Sequence, residues 1–284
     1  MLAPHRRARV TRSEAGDSRW EVATRELPAG LRAHVRGLLG YSEASALPRL
    51  QRQFPLPQVV VIIEFGPPIR VHDDAGVAST YAGGFVAGLH DRWSDTGHDG
   101  SQRGIQLNLT PIGARLLFGV ALSELAGRIV HLDDLLPRAH RGLAGRLAGL
   151  AEWDDRFDMV ESFIAARLAE ARVEVNTVAW ACRRIEASAG AVDIGRLAGE
   201  LGYSGKHLIA LFRDRVGVPP KLLARLVRFD HLVRRLRSGP PATWAELAAE
   251  FGFADQAHLT REIRSFTGVT PTSARPLLGD VLFA

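Results

Sequence analysis

One pattern is written twice between Val192 and Arg275. Ile194, Leu197, Ala198 and Leu201, followed by Gly202-Tyr203, return fifty positions later as Trp244, Leu247, Ala248 and Phe251, followed by Gly252-Phe253. Ala254 is then inserted. From there an offset of fifty-one carries Ser204 to Asp255, His207 to His258, Leu208 to Leu259, Arg213 to Arg264, Gly217 to Gly268, Val218 to Val269 and Pro220 to Pro271. So many identities at a nearly constant offset mark a duplicated supersecondary unit.

Each copy has a physical grammar. Apolar residues at i, i+3, i+4 and i+7 place one stripe along a short helix. The glycine that follows ends it, because glycine tolerates left-handed backbone. Ser204 in one copy and Asp255 in the other offer an N-cap oxygen to a second helix, which stops at Gly217 or Gly268. Thr243-Trp244-Ala245-Glu246 fits a capping box for the first helix of the second copy. Helix, tight turn, helix is the layout of a helix-turn-helix. Between the copies, Leu222, Leu226, Phe229, Val233 and Leu236 recur every three or four residues, which predicts one amphipathic helix from Pro220 to Arg237, closed by Gly239-Pro240-Pro241.

These residues closely resemble the AraC/XylS-type DNA-binding domain. The carriers are Leu197-Ala198, Gly202-Tyr203-Ser204, His207-Leu208, Leu211-Phe212-Arg213 and Gly217-Val218-Pro219-Pro220. In the second copy they are Glu246-Leu247-Ala248, Gly252-Phe253, Asp255-Gln256-Ala257-His258-Leu259, Gly268-Val269-Thr270-Pro271 and Arg275. The resemblance covers about the last third of the chain. Ile263 stands where the family usually has Phe, and Ala274 where an aromatic is common; both are expected in the core. The resemblance implies a sequence-specific transcription regulator acting on double-stranded DNA. Under it the second helix of each copy reads bases, with Lys206, His207, Ile209 and Ala210 in the first and Gln256, Ala257, His258 and Arg261 in the second. Gln can pair with adenine and Arg with guanine in bidentate fashion, whereas Ile209 and Ala210 offer only contact to thymine methyls. Ser204, Arg213, Arg225, Thr243 and Arg264 are expected at phosphates.

The charge distribution agrees with that expectation. The 284 residues carry a formal net charge of +5, of which residues 191–284 hold 13 basic and 9 acidic groups, a net of +4. An excess on the repeated part suits a surface facing phosphates. Only two lysines occur, Lys206 and Lys221.

The length suggests two domains. Residues 1–18 are basic and aperiodic and read as a disordered tail. Residues 19–136 have a β-rich texture. Trp20, Val22 and Thr24 alternate with charges, Leu31 to Tyr41 reads as extended, and Val59 to Ile63 is a β-branched run of the kind buried on both faces. Gly83 to Leu89 and Arg103 to Leu109 read as further strands. Thr110 and Pro111 then open a helix that Gly119 closes. This block resembles the variable N-terminal half of AraC-type regulators, with Leu109-Thr110-Pro111 through Leu116, Phe118 and Gly119 as carriers; that implies a sensing or dimerisation domain. Residues 137–190 read as a helical connector, with helices over Leu143 to Leu150, Asp154 to Glu170 and Asn176 to Ala187, ending in the linker Ser188-Ala189-Gly190. Residues 191–278 are the DNA-binding domain. The fold class expected is α+β: a β-rich N-terminal domain, a helical connector, and an all-α C-terminal domain of two helix-turn-helix units joined by a long helix.

Candidates for chemistry are few. His90 to Asp99 collects potential metal ligands, but a polar loop between strands accounts for it, and no metal is expected. Trp93 and Phe85 are read as core residues before pocket residues. The single cysteine, Cys182, lies on an apolar helical stripe and permits no internal disulfide. A DNA-repair enzyme built on the same DNA-binding domain is the alternative function, but zinc and alkyl-acceptor chemistry needs several cysteines. No phosphate-binding, nucleophile-elbow or zinc-helix motif is present. We therefore expect no enzyme activity, no catalytic residue and no cofactor. The partners expected beside DNA are an unidentified small-molecule effector, RNA polymerase and a second copy of the chain. The N-terminus lacks a signal-type apolar core and no run approaches a membrane span, so a cytoplasmic protein is expected.

Overall fold

The computed structural model describes residues 6–240 and 242–279. Its N-terminal half is built from antiparallel strands in two sheets. The larger sheet takes β1 (Arg9–Ala15), β2 (Ser18–Thr24), β3 (Val35–Ser45), β5 (Val59–Glu64), β8 (Phe85–Ala87), β10 (Ser101–Leu109) and β11 (Ile129–His131), in the order β1-β2-β3-β10-β5-β8-β11. The smaller takes β4 (Arg49–Gln53), β6 (Ile69–His72), β7 (Ala78–Tyr81) and β9 (Ser94–His98), in the order β4-β9-β6-β7.

Period-two alternation divides the larger sheet into two faces. In β5, Val59, Val61 and Ile63 join the main core, which continues into the helices. Val60 and Ile62 point the other way, into a smaller cluster with Tyr41, Ile69, Val71, Tyr81, Phe85 and Ala87 between the sheets. The expectation of a strand buried on both faces is met, because each face packs into one of these two clusters, while β10 and the short β8 pair its edges.

Three segments differ from the sequence reading. Residues 9–15, expected in a disordered tail, are β1, in register with β2 from Arg9↔Thr24 to Ala15↔Ser18. The strand is mostly exposed and polar, so hydrophobic pattern could not reveal it; its backbone ladder and the Arg12–Glu21 pair, 2.5 Å, hold it. Residues 1–5 of that expectation lie outside the described residues. Within 90–99, expected as a loop, Ser94–His98 is β9, paired with both β4 and β6. Acidic groups in and just after it face arginines: Asp95 pairs with Arg52 and Asp99 with Arg70. The linker 188–190 is a tight junction. Ala189 and Gly190 both have positive φ, and a Cβ on Gly190 would lie 2.1 Å from the Ala224 carbonyl oxygen.

The helices follow their caps. α1 (Pro111–Phe118) is capped by Thr110, whose side chain accepts from the Gly113 N–H, and closed by left-handed Gly119. α2 (Leu132–Leu135) and α3 (Leu143–Ala148) are short. α4 (Trp153–Glu170) lies on the larger sheet, its Trp153 ring over Gly40, where any Cβ would strike the indole, and its indole N–H donating to Glu21 at 2.6 Å. Buried Arg25 ties β2's end to α4 through Glu161 and Asp158. α5 (Asn176–Ala187) packs Val178, Ala181, Cys182 and Ile185 inward. The repeated part forms α6 (Ile194–Glu200), α7 (Gly205–Val216), α8 (Pro220–Ser238), α9 (Trp244–Glu250), α10 (Gln256–Thr267) and α11 (Pro271–Gly279). No described helix is long and apolar enough to cross a membrane.

Candidate nucleic-acid interface

The two copies fold alike because their caps and stripes are alike. Leu197 and Ala198 in α6, and Leu247 and Ala248 in α9, are buried. Gly202 and Gly252, with φ near +69° and +67°, turn the chain. Ser204 then accepts from the His207 N–H at 3.2 Å and opens α7; Asp255 accepts from the His258 N–H at 2.6 Å and opens α10. Thr243 and Glu246 make the expected capping box on α9. Leu208, Phe212 and Val216 bury one side of α7, and Leu259, Ile263 and Phe266 one side of α10. Ile263 and Ala274 are fully buried core residues, as their positions implied.

The opposite sides are open. In α7, Lys206, Ile209, Ala210 and Arg213 are exposed; in α10, Gln256, Ala257, Arg261 and Arg264 are exposed. Among the described residues, the side chains of Lys206, Arg213, Arg261 and Arg264 have no ion-pair or hydrogen-bond partner, whereas most other arginines are tied to carboxylates or carbonyls. Unpaired cations at the repeat-equivalent positions 213 and 264 leave their full charge for a polyanion. Thr260, one turn from both Gln256 and Arg264, shares the open face and was passed over in the sequence; helical spacing alone would have found it. Its equivalent in α7 is Ile209, so the open face of the second copy is the chemically richer one.

Several residues expected at DNA have partners within the chain. Arg225 of α8 is not turned to solvent. Its guanidinium grips Glu262 of α10, with Nε at 2.8 Å from one carboxylate oxygen and Nη2 at 2.9 Å from the other, and lies over the Phe266 ring. That makes it a strut between α8 and α10. His207 and His258 turn their rings edge-on against Tyr203 and Phe253, the aromatic residues of the two turns, at centroid separations of 4.6 and 5.3 Å. They stiffen the turns, and His258 is half-buried. Thr243 gives its hydroxyl to Glu246 at 2.9 Å.

A helix-turn-helix domain model matches residues 197–276. Those residues are an AraC-type helix-turn-helix domain. The match takes in α7, α8 and α10 whole, and the helix-turn-helix domain ends within α11, where Arg275 donates to the Ala242 carbonyl and covers the Trp244 ring. No curated protein matches the chain by sequence. Among solved structures the chain is similar to ToxT from Vibrio cholerae, at 12% identity over 81% of this chain and 97% of that one, with a TM-score of 0.47. It is similar also to ToxT of Vibrio cholerae strain SCE256 with an unsaturated fatty acid bound, at 11% identity over 85% and 99%, TM-score 0.47. The AraC-like transcriptional activator CuxR follows at 17% identity over 80% and 86%, TM-score 0.31.

The N-terminal half holds a cavity of about 600 Å³ between the two sheets, and the helix-turn-helix domain closes part of it. Tyr41, Val60, Ile62 and Phe85 come from the larger sheet, Arg49, Gln51, Thr96 and His98 from the smaller, and Phe229, Val233 and Arg237 from α8. The polar groups are spaced around an apolar body. Buried His98 lies 3.4 Å from Glu43, and its hydrogen bond holds the Glu43 carboxyl below its ordinary value. Arg237 donates through Nε to the Leu278 carbonyl at 2.8 Å, and burial pulls it below the usual arginine range. Phe85 thus lines a cavity as well as the core; Trp93 lies outside this cavity.

Proposed function

We propose that this protein is a transcription regulator that binds a specific double-stranded DNA site through α7 and α10 and takes a small molecule in the cavity of its N-terminal half. The observation that carries the DNA reading is the pair of N-capped helices, each presenting an exposed face with unpaired cations at equivalent positions of the repeat. α8, with 19 residues at 1.5 Å each, is a rod of roughly 28 Å. With the turns at its ends it can hold two reading helices about one DNA turn, roughly 34 Å, apart. The site then has two short elements whose centres lie about 10 base pairs apart, and they need not be palindromic because the two faces differ. The cavity has the size and mixed lining of a small-molecule site, and its wall includes α8, the rod between the readers.

The repair-enzyme reading gains nothing from the molecule. Cys182 is buried, and burial pushes its thiol up to about 12, which leaves no thiolate for acceptor chemistry.

The test is selection of duplexes from a random pool by the full chain, followed by footprinting. Protection of two successive major grooves on one face is expected, with loss of tight binding when five base pairs are inserted between the elements. If Arg213 and Arg264 neutralise phosphates, log affinity should fall against log salt with a slope of about −2. A flat salt response, or a single protected groove, would overturn the two-reader model.

A further inference from the structure

The N-terminal half touches both reading helices, and it touches them at the same place in the repeat. α7 ends at Gly217 and α10 at Gly268, both in left-handed backbone with φ of 92° and 75°. These two glycines are fifty-one positions apart and equivalent. A Cβ on Gly217 would lie 2.9 Å from the Leu122 carbonyl oxygen, in the 3-10 turn Leu122–Glu124 that follows α1. A Cβ on Gly268 would lie 2.2 Å from the Trp93 indole nitrogen. The absence of a side chain therefore serves each helix twice: it permits the closing turn and it lets the N-terminal half press against the helix end.

The grip on α10 is the more elaborate. Trp93 immediately precedes β9. The Arg52 guanidinium stacks over the Trp93 ring at 3.7 Å and is fixed by Asp95, with Nε at 3.0 Å and Nη2 at 3.3 Å from its two oxygens. From that position Arg52 donates through Nη1 to the Thr267 carbonyl of α10's last turn at 3.4 Å. A cation on the C-terminal carbonyls of a helix is favoured by the helix dipole. The planar fork is oriented by Asp95 and by stacking, which a lysine could not reproduce. The contact lies at the end of α10 remote from Gln256, and the exposed face of Gln256, Ala257, Arg261 and Arg264 stays open. It does not mask the reader; it fixes the reader's attitude.

We infer that Arg52 and Trp93 are positioning residues that clamp the second reading helix to the N-terminal half and thereby set the spacing at which the two readers meet DNA. The inference rests on the DNA-reading proposed above. α8 joins the two units on one side, and the N-terminal half, holding Gly217 at Leu122 and Gly268 at Trp93, joins them on the other. Two connections define a spacing more sharply than one. Releasing the clamp leaves each unit folded but lets the second rock on α8, so simultaneous engagement of two grooves loses its preorganisation.

The experiment compares wild type, Arg52→Gln, Trp93→Ala and Trp93→Phe as full chains. The probes are the two-element duplex that wild type selects from a random pool, the same duplex with its first element scrambled, and versions with the spacer lengthened or shortened by one base pair. For Arg52→Gln and Trp93→Ala the expected loss is about tenfold on the two-element duplex and less than about twofold on the one-element duplex. These variants should also discriminate less between spacers than wild type does, an effect that general destabilisation would not produce. Trp93→Phe, which keeps a ring beneath the guanidinium, should retain the wild-type spacing preference. Unchanged affinity and spacing preference in both Arg52→Gln and Trp93→Ala overturns the clamp, as does an equal loss on both duplexes. A wild-type chain that selects no duplex overturns the DNA-reading itself.

Discussion

Glu64, at the end of β5, offers a quantitative test of the sandwich interior. Its carboxyl is 1% exposed. One oxygen accepts from the Gly66 and Arg103 backbone N–H groups at 2.9 and 2.7 Å, the other from the Tyr41 hydroxyl at 2.8 Å. Burial opposes these three donors and dominates, raising the pKa from 4.5 to about 7. A carboxyl whose folded pKa is raised binds its proton more tightly in the folded chain. Its favourable contribution is therefore complete below the unfolded value of 4.5 and is lost as pH rises through about 7. At 1.36 kcal/mol per pH unit, the loss across that window is about 3 kcal/mol. Glu64→Gln removes the titration and fits the site: Oε1 keeps both backbone donors, and Nε2 can donate to the Tyr41 oxygen. Urea unfolding of wild type and variant between pH 4.5 and 8 should give stabilities that diverge with rising pH, the variant ending more stable by up to about 3 kcal/mol at pH 8. The comparison cancels His34 and His90, which burial lowers and which titrate in both proteins. Parallel pH profiles, or a variant less stable than wild type at pH 8, would show that the three donors outweigh burial and refute the reasoning.

Two further outcomes are expected. Arg261→Ala should cost about 1–3 kcal/mol on the selected duplex and relax preference at one base pair, while Ala210→Gly at the equivalent position of α7 should cost less; an Arg261→Ala loss that is uniform across sequences would make Arg261 a phosphate ligand instead. A small molecule that fills the cavity should stabilise the fold by mass action, by about 2.7 kcal/mol at one hundred times its Kd, and so raise the melting temperature, and Val60→Trp, which occupies that space, should abolish the shift; a library without a stabilising compound, or a shift that persists in the variant, would remove the ligand role from the cavity.

What could be read in advance followed from local chemistry. Caps act within three residues, so Thr110, Ser204, Thr243 and Asp255 announced α1, α7, α9 and α10 close to their true ends. Long apolar periodicity announced α4, α5 and α8, and the β-branched run announced β5. Two strands of the smaller sheet, β4 and β9, were invisible for the converse reason. β4 reads Arg-Leu-Gln-Arg-Gln and β9 Ser-Asp-Thr-Gly-His. Neither has an apolar alternation, because one side faces the cavity and the other holds ion pairs. Partners distant along the chain were equally hidden. Glu262, thirty-seven residues on, takes up the Arg225 guanidinium, and no spacing rule relates the two. The duplication located α7 and α10, yet the close approach of Trp93 to Gly268 comes from the other half of the chain and could be seen only once the chain was folded.

The order of strands in the larger sheet has a consequence for how the chain folds. Its centre is β10, and Leu107 stands opposite Leu38 on one side and Val61 on the other. During synthesis β3 must wait for a partner that emerges some sixty residues later, with one edge open in the meantime. The helix-turn-helix units ask for nothing comparable, since each closes on contacts within about twenty residues. Contact order therefore makes the sheet the slow step and the helical part the fast one. Substitutions that retard folding or promote aggregation of the nascent chain should accordingly concentrate along β3, β5 and β10, far from any surface that meets DNA.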